Sequence, residues 1–123
     1  MIAETLMLVG RLVFGGFFLI AGIRNFTHFS ERRTTATTNY GWLLPAPVMA
    51  AGFAVQFFGG LLLVLGIWTV PAAAALIVFL VLATALYHNL FLFQGAERDP
   101  HLYFTLVNIT LAGGLLMVIA GAL

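Results

Sequence analysis

The sequence predicts an all-α membrane protein, a transmembrane four-helix bundle whose antiparallel helices run up and down. The chain has 123 residues, of which 63% are hydrophobic and only 7% are charged. Soluble domains carry ~25% charged residues, so water cannot wet this surface on all sides. The apolar residues also fall into four segments that approach the ~20 residues a helix needs to cross a hydrocarbon core.

The four predicted spans cover residues 6–23, 48–68, 71–93 and 102–123. Each span is expected to be a helix, because backbone polar groups in lipid must be satisfied within their own segment and no span alternates in the way a strand does. Glu4 precedes the first span without a basic segment, which favours a retained helix over a cleaved signal peptide. No linker divides the chain, so residues 1–123 are expected to form a single domain.

The connections between the spans are unequal in length. Residues 24–47 are predicted to form one long loop, because the threonine-rich tract 34–39 is typical of solvated turns. Residues 69–70 make a tight hairpin and residues 94–100 a short polar loop, and such short connections favour antiparallel neighbours. The arginines lie mainly in the first and third loops, so the positive-inside rule predicts that these loops are cytoplasmic and both termini are outside.

Composition excludes several classes of function. A net charge of +1 offers no electrostatic footprint for a nucleic acid. The absence of cysteine excludes disulfides, zinc–thiolate sites, iron–sulfur clusters and thiol redox chemistry. The sequence contains no nucleophile–base–acid set, so it assigns no catalytic residue, and it shows no metal-ligand spacing.

Each span carries one stripe of polar or small residues at helical spacing. The stripes are expected to face one another, because small residues let helices approach closely and buried amide or imidazole groups need partners. The candidate ligand-binding residues on these stripes are Arg11, Gln56, Tyr87, His88 and Asn108. Interhelical hydrogen bonding is the alternative role for Gln56 and Asn108.

The candidates differ in their depth within the bundle. His88 and Asn108 fall near the side of the long loop and Gln56 near the middle, whereas Arg11 lies about 7 Å from the opposite side at ~1.5 Å per residue. This order predicts a pocket that opens on the loop side and ends near Gln56. Arg11 either reaches to the nearer interface or points inward, with no carboxylate in any span to pair with it.

Two segments resemble the signatures of the DoxX family. Residues 11–22, RLVFGGFFLIAG, followed by Phe26, are similar to the signature of its first helix, and residues 56–66, QFFGGLLLVLG, to that of its second. Members of this family are four-helix membrane proteins of similar size, and their third helix often ends in a histidine, as here at His88. The family commonly has a glutamate at the position of Gln56, and that departure leaves no intramembrane carboxylate for Arg11.

The resemblance implies a role in oxidoreduction. Family members are described as membrane subunits, including the small subunit of a thiosulfate:quinone oxidoreductase, and as parts of assemblies linked to oxidative-stress defence. For this chain it implies an accessory subunit rather than an autonomous enzyme, in a bacterial or archaeal cytoplasmic membrane, with a protein partner or a second copy beside it. If the ligand is a quinone, its carbonyls would accept hydrogen bonds from Gln56, Tyr87, His88 or Asn108.

Two other classes of function remain open at this stage. The small size and four spans also suit a dimeric ion channel or transporter. Proton-driven exchange needs a carboxylate inside the membrane, however, and all of the acidic residues lie outside the predicted spans. The other class is a purely structural membrane subunit without a site of its own.

Overall fold

The structure, a computed structural model, describes residues 1–40 and 44–123, and within these residues it contains helices but no strand. The helices are α1 (Ile2–Thr27), α2 (Phe29–Tyr40), α3 (Ala46–Leu65), α4 (Thr69–Tyr87) and α5 (Arg98–Ala122), with a 3-10 turn at Gly95–Glu97. Among the described residues, four helices are long and apolar enough to cross a membrane, namely α1, α3, α4 and α5. The all-α class and the predicted number of spans are therefore confirmed.

The segment between the first two spans is largely helical, so the prediction of a long loop over residues 24–47 is wrong. α1 extends to Thr27, and α2 begins two residues later. Thr34, Thr35 and Thr37 of α2 donate their hydroxyl hydrogens to carbonyls of the helix itself; Thr34 Oγ1, for example, donates to the Ser30 carbonyl at 2.9 Å. Threonine can form such local bonds in either a turn or a helix, so composition alone does not distinguish the two.

Tertiary contacts hold α2 against the bundle. Ala36 is buried in a small apolar cluster with Leu44 and Phe53. Phe29 meets the ring of Phe53 edge-on, with the ring centroids 5.9 Å apart. Arg33 Nε donates to the Leu44 carbonyl at 2.6 Å, which ties α2 to the chain that enters α3. Most helical stability in proteins comes from packing of this kind.

The ends of α4 and α5 also differ from the sequence prediction. α4 ends at Tyr87 rather than near residue 93, and α5 begins at Arg98, earlier than predicted. The side chain of Asn89 accepts a hydrogen bond from the Phe91 backbone N–H at 3.0 Å. Such a bond stabilises a turn in place of a further helical turn, so the chain leaves the α4 axis just after Tyr87.

A tight hairpin over residues 66–68 joins α3 to α4. Gly66 has a φ of 72°, in the left-handed region that glycine adopts without steric cost. Its N–H donates to the Leu62 carbonyl at 2.8 Å, which closes the end of α3. A Cβ at this position would also lie 2.8 Å from Nη2 of Arg11, so both the backbone conformation and the close approach of Arg11 favour glycine.

Glycines bring α1 and α3 into backbone contact. A Cβ at Gly60 would lie 2.6 Å from the Leu19 nitrogen and 2.8 Å from the Gly15 carbonyl oxygen. A Cβ at Gly22 would lie 2.9 Å from the Phe57 Cα. Close approach of this kind increases dispersion contacts where lipid provides no hydrophobic drive between helices. The predicted facing of the small-residue stripes on these two helices is thereby confirmed.

The bundle can be divided into two halves along the membrane normal. The hairpin half contains the 66–68 turn and both chain ends, since Arg11 contacts Gly66 and Met7 lies against Gly121. It holds most of the main core, whose fully buried large side chains are Phe18, Leu63, Leu76 and Leu115. The loop half contains α2 and residues 88–97. α1 packs mainly on α3, and α4 on α5.

Candidate functional site

The loop half contains a cavity of about 430 Å³, which we call the polar cavity. Its walls come from all five helices and from the residue that follows α4. Ligand pockets usually measure ~300–1,000 Å³, so the volume suits a small ring system. Its polar lining consists of Asn25, Arg32, Thr35, Gln56, Tyr87, His88, His101 and Asn108.

Four of the five residues selected from the sequence line this cavity, namely Gln56, Tyr87, His88 and Asn108. They come from α3, α4, the residue after α4, and α5, so the antiparallel packing of these helices brings them together. Gln56 is the most buried of them, with 5% of its surface exposed. The structure therefore places a pocket on the loop side with Gln56 in its wall, as the depth of the residues predicts.

Arg11 lies in the other half of the molecule, away from the polar cavity. Its guanidinium group rests against Gly66, at the end of α3. The last carbonyls of a helix carry a partial negative charge that attracts cations, which accounts for this position. Among the described residues, Arg11 Nε is buried and has no hydrogen-bond partner. Arg11 is therefore a cation at the end of α3, and it does not share a site with Gln56.

A chain of hydrogen bonds links α2, α1 and α3 at one wall of the cavity. Arg32 Nε donates to Asn25 Oδ1 at 3.0 Å, and Asn25 Nδ2 donates to Gln56 Oε1 at 2.6 Å. Within the described residues no hydrogen bond from Gln56 Nε2 is present. The chain therefore orients the Gln56 amide so that Oε1 is used inside the protein and Nε2 remains as a donor.

Sequence reasoning missed both Asn25 and Arg32 as site residues. Both fall in the segment 24–47, which the sequence predicts as a loop, so their relative direction was undefined. Helical spacing does not relate them either, because Asn25 lies at the end of α1 and Arg32 lies on α2.

A pair of histidines forms a second polar wall of the cavity. The Nδ1 atoms of His88 and His101 lie 2.9 Å apart, so one ring must donate a proton and the other must accept it. Phe93 stacks on His101 with ring centroids 3.7 Å apart, and Phe104 stacks on His88 at 5.0 Å. The two aromatic rings thus enclose the pair from either side and hold the imidazoles in place.

The environment of His88 favours its neutral form. His88 lies just beyond α4, outside the membrane-spanning segment. Burial lowers the pKa of His88 below its usual 6.5, and the nearby His101 lowers it further. Because the hydrogen bond joins the two Nδ1 atoms, each ring keeps its Nε2 atom for a contact outside the pair.

Asn108 connects α5 to α4 as well as lining the cavity. Its Nδ2 donates to Thr84 Oγ1 at 2.9 Å, and Thr84 Oγ1 in turn donates to the Leu80 carbonyl at 2.7 Å. The role of interhelical hydrogen bonding that the sequence suggests for Asn108 is therefore present. This bond uses one of the two hydrogens on Nδ2, so within the described residues the amide keeps a second N–H and its Oδ1 atom for other partners.

The electrostatic character of the cavity is that of a donor-rich, weakly positive site. Arg32 is its one cation, and no described residue in its lining is acidic. Aromatic rings form much of the remaining wall: Phe17, Phe18, Phe53, Phe79 and Phe104. Such a lining suits a flat, apolar ligand with oxygen acceptors at its edge, and it disfavours a cation.

Comparison with protein families matches residues 6–89 to the DoxX family. Neither the curated proteins nor the solved structures include a match to the chain. The matched segment runs from α1 to the two residues after α4, and so it includes Asn25, Arg32, Gln56 and His88. The wall of the cavity that α5 contributes, with His101 and Asn108, lies beyond it.

Proposed function

The chain belongs to the DoxX family and is an integral multi-pass membrane protein, and from this premise we propose that it is an accessory subunit of a membrane oxidoreductase complex and binds a quinone in the polar cavity. The observation that carries the proposal is the cavity lining, in which Gln56, Arg32 and the histidine pair present donors among phenylalanine rings. A quinone ring has acceptor oxygens at its edge and apolar faces, so these groups match its chemistry.

The donors lie on separate walls of the cavity. Gln56 belongs to the wall that α1, α2 and α3 form together, whereas His88 and His101 belong to the wall made by α5 and the end of α4. A flat ring between the two walls can therefore accept a hydrogen bond at each of two opposite edges. The phenylalanines exclude water from its faces, which strengthens the remaining polar contacts.

The accessory role follows from the chemistry that this chain lacks. It contains no cysteine, so its side chains offer no thiol couple to pass electrons onward. A quinone supplies two-electron, two-proton redox chemistry when bound, and the partner subunit would exchange the electrons with it. The residues of this chain would orient the ring, and the His88–His101 pair would hold a proton near its edge.

Purification of the native complex in mild detergent tests both parts of the proposal. We expect a redox enzyme and a quinone to copurify with the chain. The double variant His88→Leu/Asn108→Leu should retain at least about tenfold less quinone, a loss of ~1.4 kcal/mol. The matched control is His28→Leu/Gln94→Leu, which changes an exposed histidine and an exposed amide outside the cavity.

Circular dichroism of the double variant shows whether the bundle remains folded. Unchanged quinone retention in a folded double variant would reject the assignment of the cavity. A native preparation that contains neither a quinone nor a redox partner would reject the proposed function as a whole.

We also propose that the loop half faces the cytoplasm of a bacterial or archaeal cell. Arg24, Arg32, Arg33 and Arg98 all lie in this half, and cytoplasmic segments are enriched in such cations. Because the chain has no cysteine, Gln94→Cys and Thr69→Cys create single labelling sites at opposite ends. A membrane-impermeant maleimide added to intact cells should label Thr69→Cys only, and labelling of Gln94→Cys alone would contradict the orientation.

A further inference from the structure

A second cavity, of about 310 Å³, lies between α3 and α4, and we call it the apolar groove. Apart from Tyr87, its lining side chains carry no polar group. It shares four wall residues with the polar cavity, namely Phe53, Phe79, Ala83 and Tyr87. The two cavities therefore meet along these four residues.

The contacts between α3 and α4 are tighter near the hairpin than at the level of the groove. Near the hairpin the two helices are in tight contact, since a Cβ at Gly59 would lie 2.9 Å from Leu76 Cγ. Two turns earlier in α3, a Cβ at Gly52 would have Phe79 Cε1 at 3.9 Å as its nearest neighbour. Gly59 therefore allows close contact between α3 and α4 near the hairpin, whereas Gly52 leaves open space beside Phe79 at the level of the groove.

The rim of the groove faces the surroundings of the bundle. Val48, Val78 and Leu82 line the groove, and each exposes more than half of its surface on the outside of α3 and α4. In a membrane protein this surface contacts the hydrocarbon region. A chain from the bilayer can thus enter the groove without passing through water.

We propose that the apolar groove binds the isoprenoid tail of the quinone whose ring occupies the polar cavity, so that this ligand enters sideways from the bilayer between α3 and α4. The inference rests on the proposed function, because it takes the quinone as the occupant. It is argued from the shared residues: a ring beside Phe53, Phe79 and Tyr87 lies where the polar cavity and the apolar groove meet. The apolar lining matches a hydrocarbon chain, and apart from Tyr87 it has no side chain that could hydrogen-bond to a headgroup.

Gly52 provides a direct way to fill the groove. It lines the groove but not the polar cavity, and the clearance around its Cβ position leaves room for a side chain. Gly52→Leu should therefore occupy the space of the tail while Gln56 and the histidine pair keep their positions. The matched control is Gly113→Leu, because a Cβ at Gly113 meets no atom within 4 Å and Gly113 lines neither cavity.

The experiment compares two probes on the purified protein: a quinone with a long isoprenoid tail and the same headgroup with a methyl group in place of the tail. We expect Gly52→Leu to weaken binding of the long-tailed probe about tenfold, relative to the control, and to leave binding of the tail-less probe unchanged. Gly52→Val introduces a smaller side chain and should give a smaller loss of affinity for the long-tailed probe. This variant replaces Gly52→Leu in the experiment if Gly52→Leu does not fold.

The outcomes separate the inference from the proposed function. If the wild type binds the probes and neither Gly52 variant weakens the long-tailed one, the tail lies elsewhere and the inference is wrong, while the proposed function stands. Equal weakening of both probes would also overturn it, because the groove would then act on the headgroup site. If the wild type binds neither probe, the proposed function itself fails.

Discussion

The helices pack differently in the two halves of the bundle. In the hairpin half, glycines bring backbones together, as where Gly60 of α3 meets Gly15 of α1. In the loop half α1 still approaches α3 closely at Gly22, but large aromatic and polar side chains there line two cavities. Helices in lipid gain stability either from close packing or from interhelical hydrogen bonds. The comparison indicates that the hairpin half supplies the stable frame and the loop half the candidate site.

The largest expected effect concerns the frame. Gly60→Leu places a side chain where the backbone of α1 already lies, with the Leu19 nitrogen 2.6 Å from the Cβ position. Because backbone atoms cannot move aside as side chains can, we expect a loss of ~3 kcal/mol in the free energy of unfolding, at the upper end of the usual cost of overpacking. The matched control Gly16→Leu, whose Cβ meets no atom within 4 Å, should unfold like the wild type. Denaturant titration in detergent measures both, and equal stability would contradict the division into halves.

A smaller effect is expected at the hydrogen-bonded wall of the site. Gln56→Leu removes the acceptor of Asn25 Nδ2 and leaves that part-buried donor unsatisfied, which costs ~1–3 kcal/mol. The variant should also lose bound quinone, whereas Gly16→Leu should retain it. Gln94→Leu, at an exposed position outside the cavity, controls for loss of an amide. A Gln56→Leu protein with wild-type stability would show that the Arg32–Asn25–Gln56 chain contributes nothing.

Arg11 sharpens the comparison, because it is a candidate site residue that the structure places in the frame. Arg11→Leu removes a cation from the end of α3, an interaction of ~0.3–1 kcal/mol. Quinone retention should be unchanged. Arg24→Leu, which removes an exposed arginine of the loop half, serves as the control for loss of charge. A drop in quinone retention for Arg11→Leu alone would return Arg11 to the site.

The smallest expected effect is a pH dependence confined to the loop half. Since the pKa of His88 is lowered from 6.5 in the folded protein, the unfolded chain binds a proton first as the pH falls. The stability is therefore full above about pH 6.5 and decreases as the pH falls through the lowered pKa of the folded state. The effect should be modest, because His88 is only partly buried and solvent screens its charge. Melting curves across this range should show the decrease in the wild type and in His28→Gln but not in His88→Gln; an equal decrease in all three would contradict it.

The sequence alone determined the class of the protein and most of the candidate site. A polar side chain in an apolar span must find a partner or a cavity, and helical spacing then defines the face on which it lies. For that reason the sequence alone identifies Gln56, Tyr87, His88 and Asn108, and all four line one cavity. The same reasoning also identifies Arg11, because the polarity of a residue in a span does not show whether it binds a ligand or stabilises the fold.

Only the tertiary structure decided how the site is closed and supported. The threonine-rich α2 has no strong helical signal, and packing of Phe29 and Ala36 on the bundle determines its course. That packing brings Arg32 to Asn25 and thus orients Gln56. The early end of α4 likewise allows His88 to meet His101. These features depend on where helices end and how far apart they lie, which contacts between distant segments set and local sequence does not.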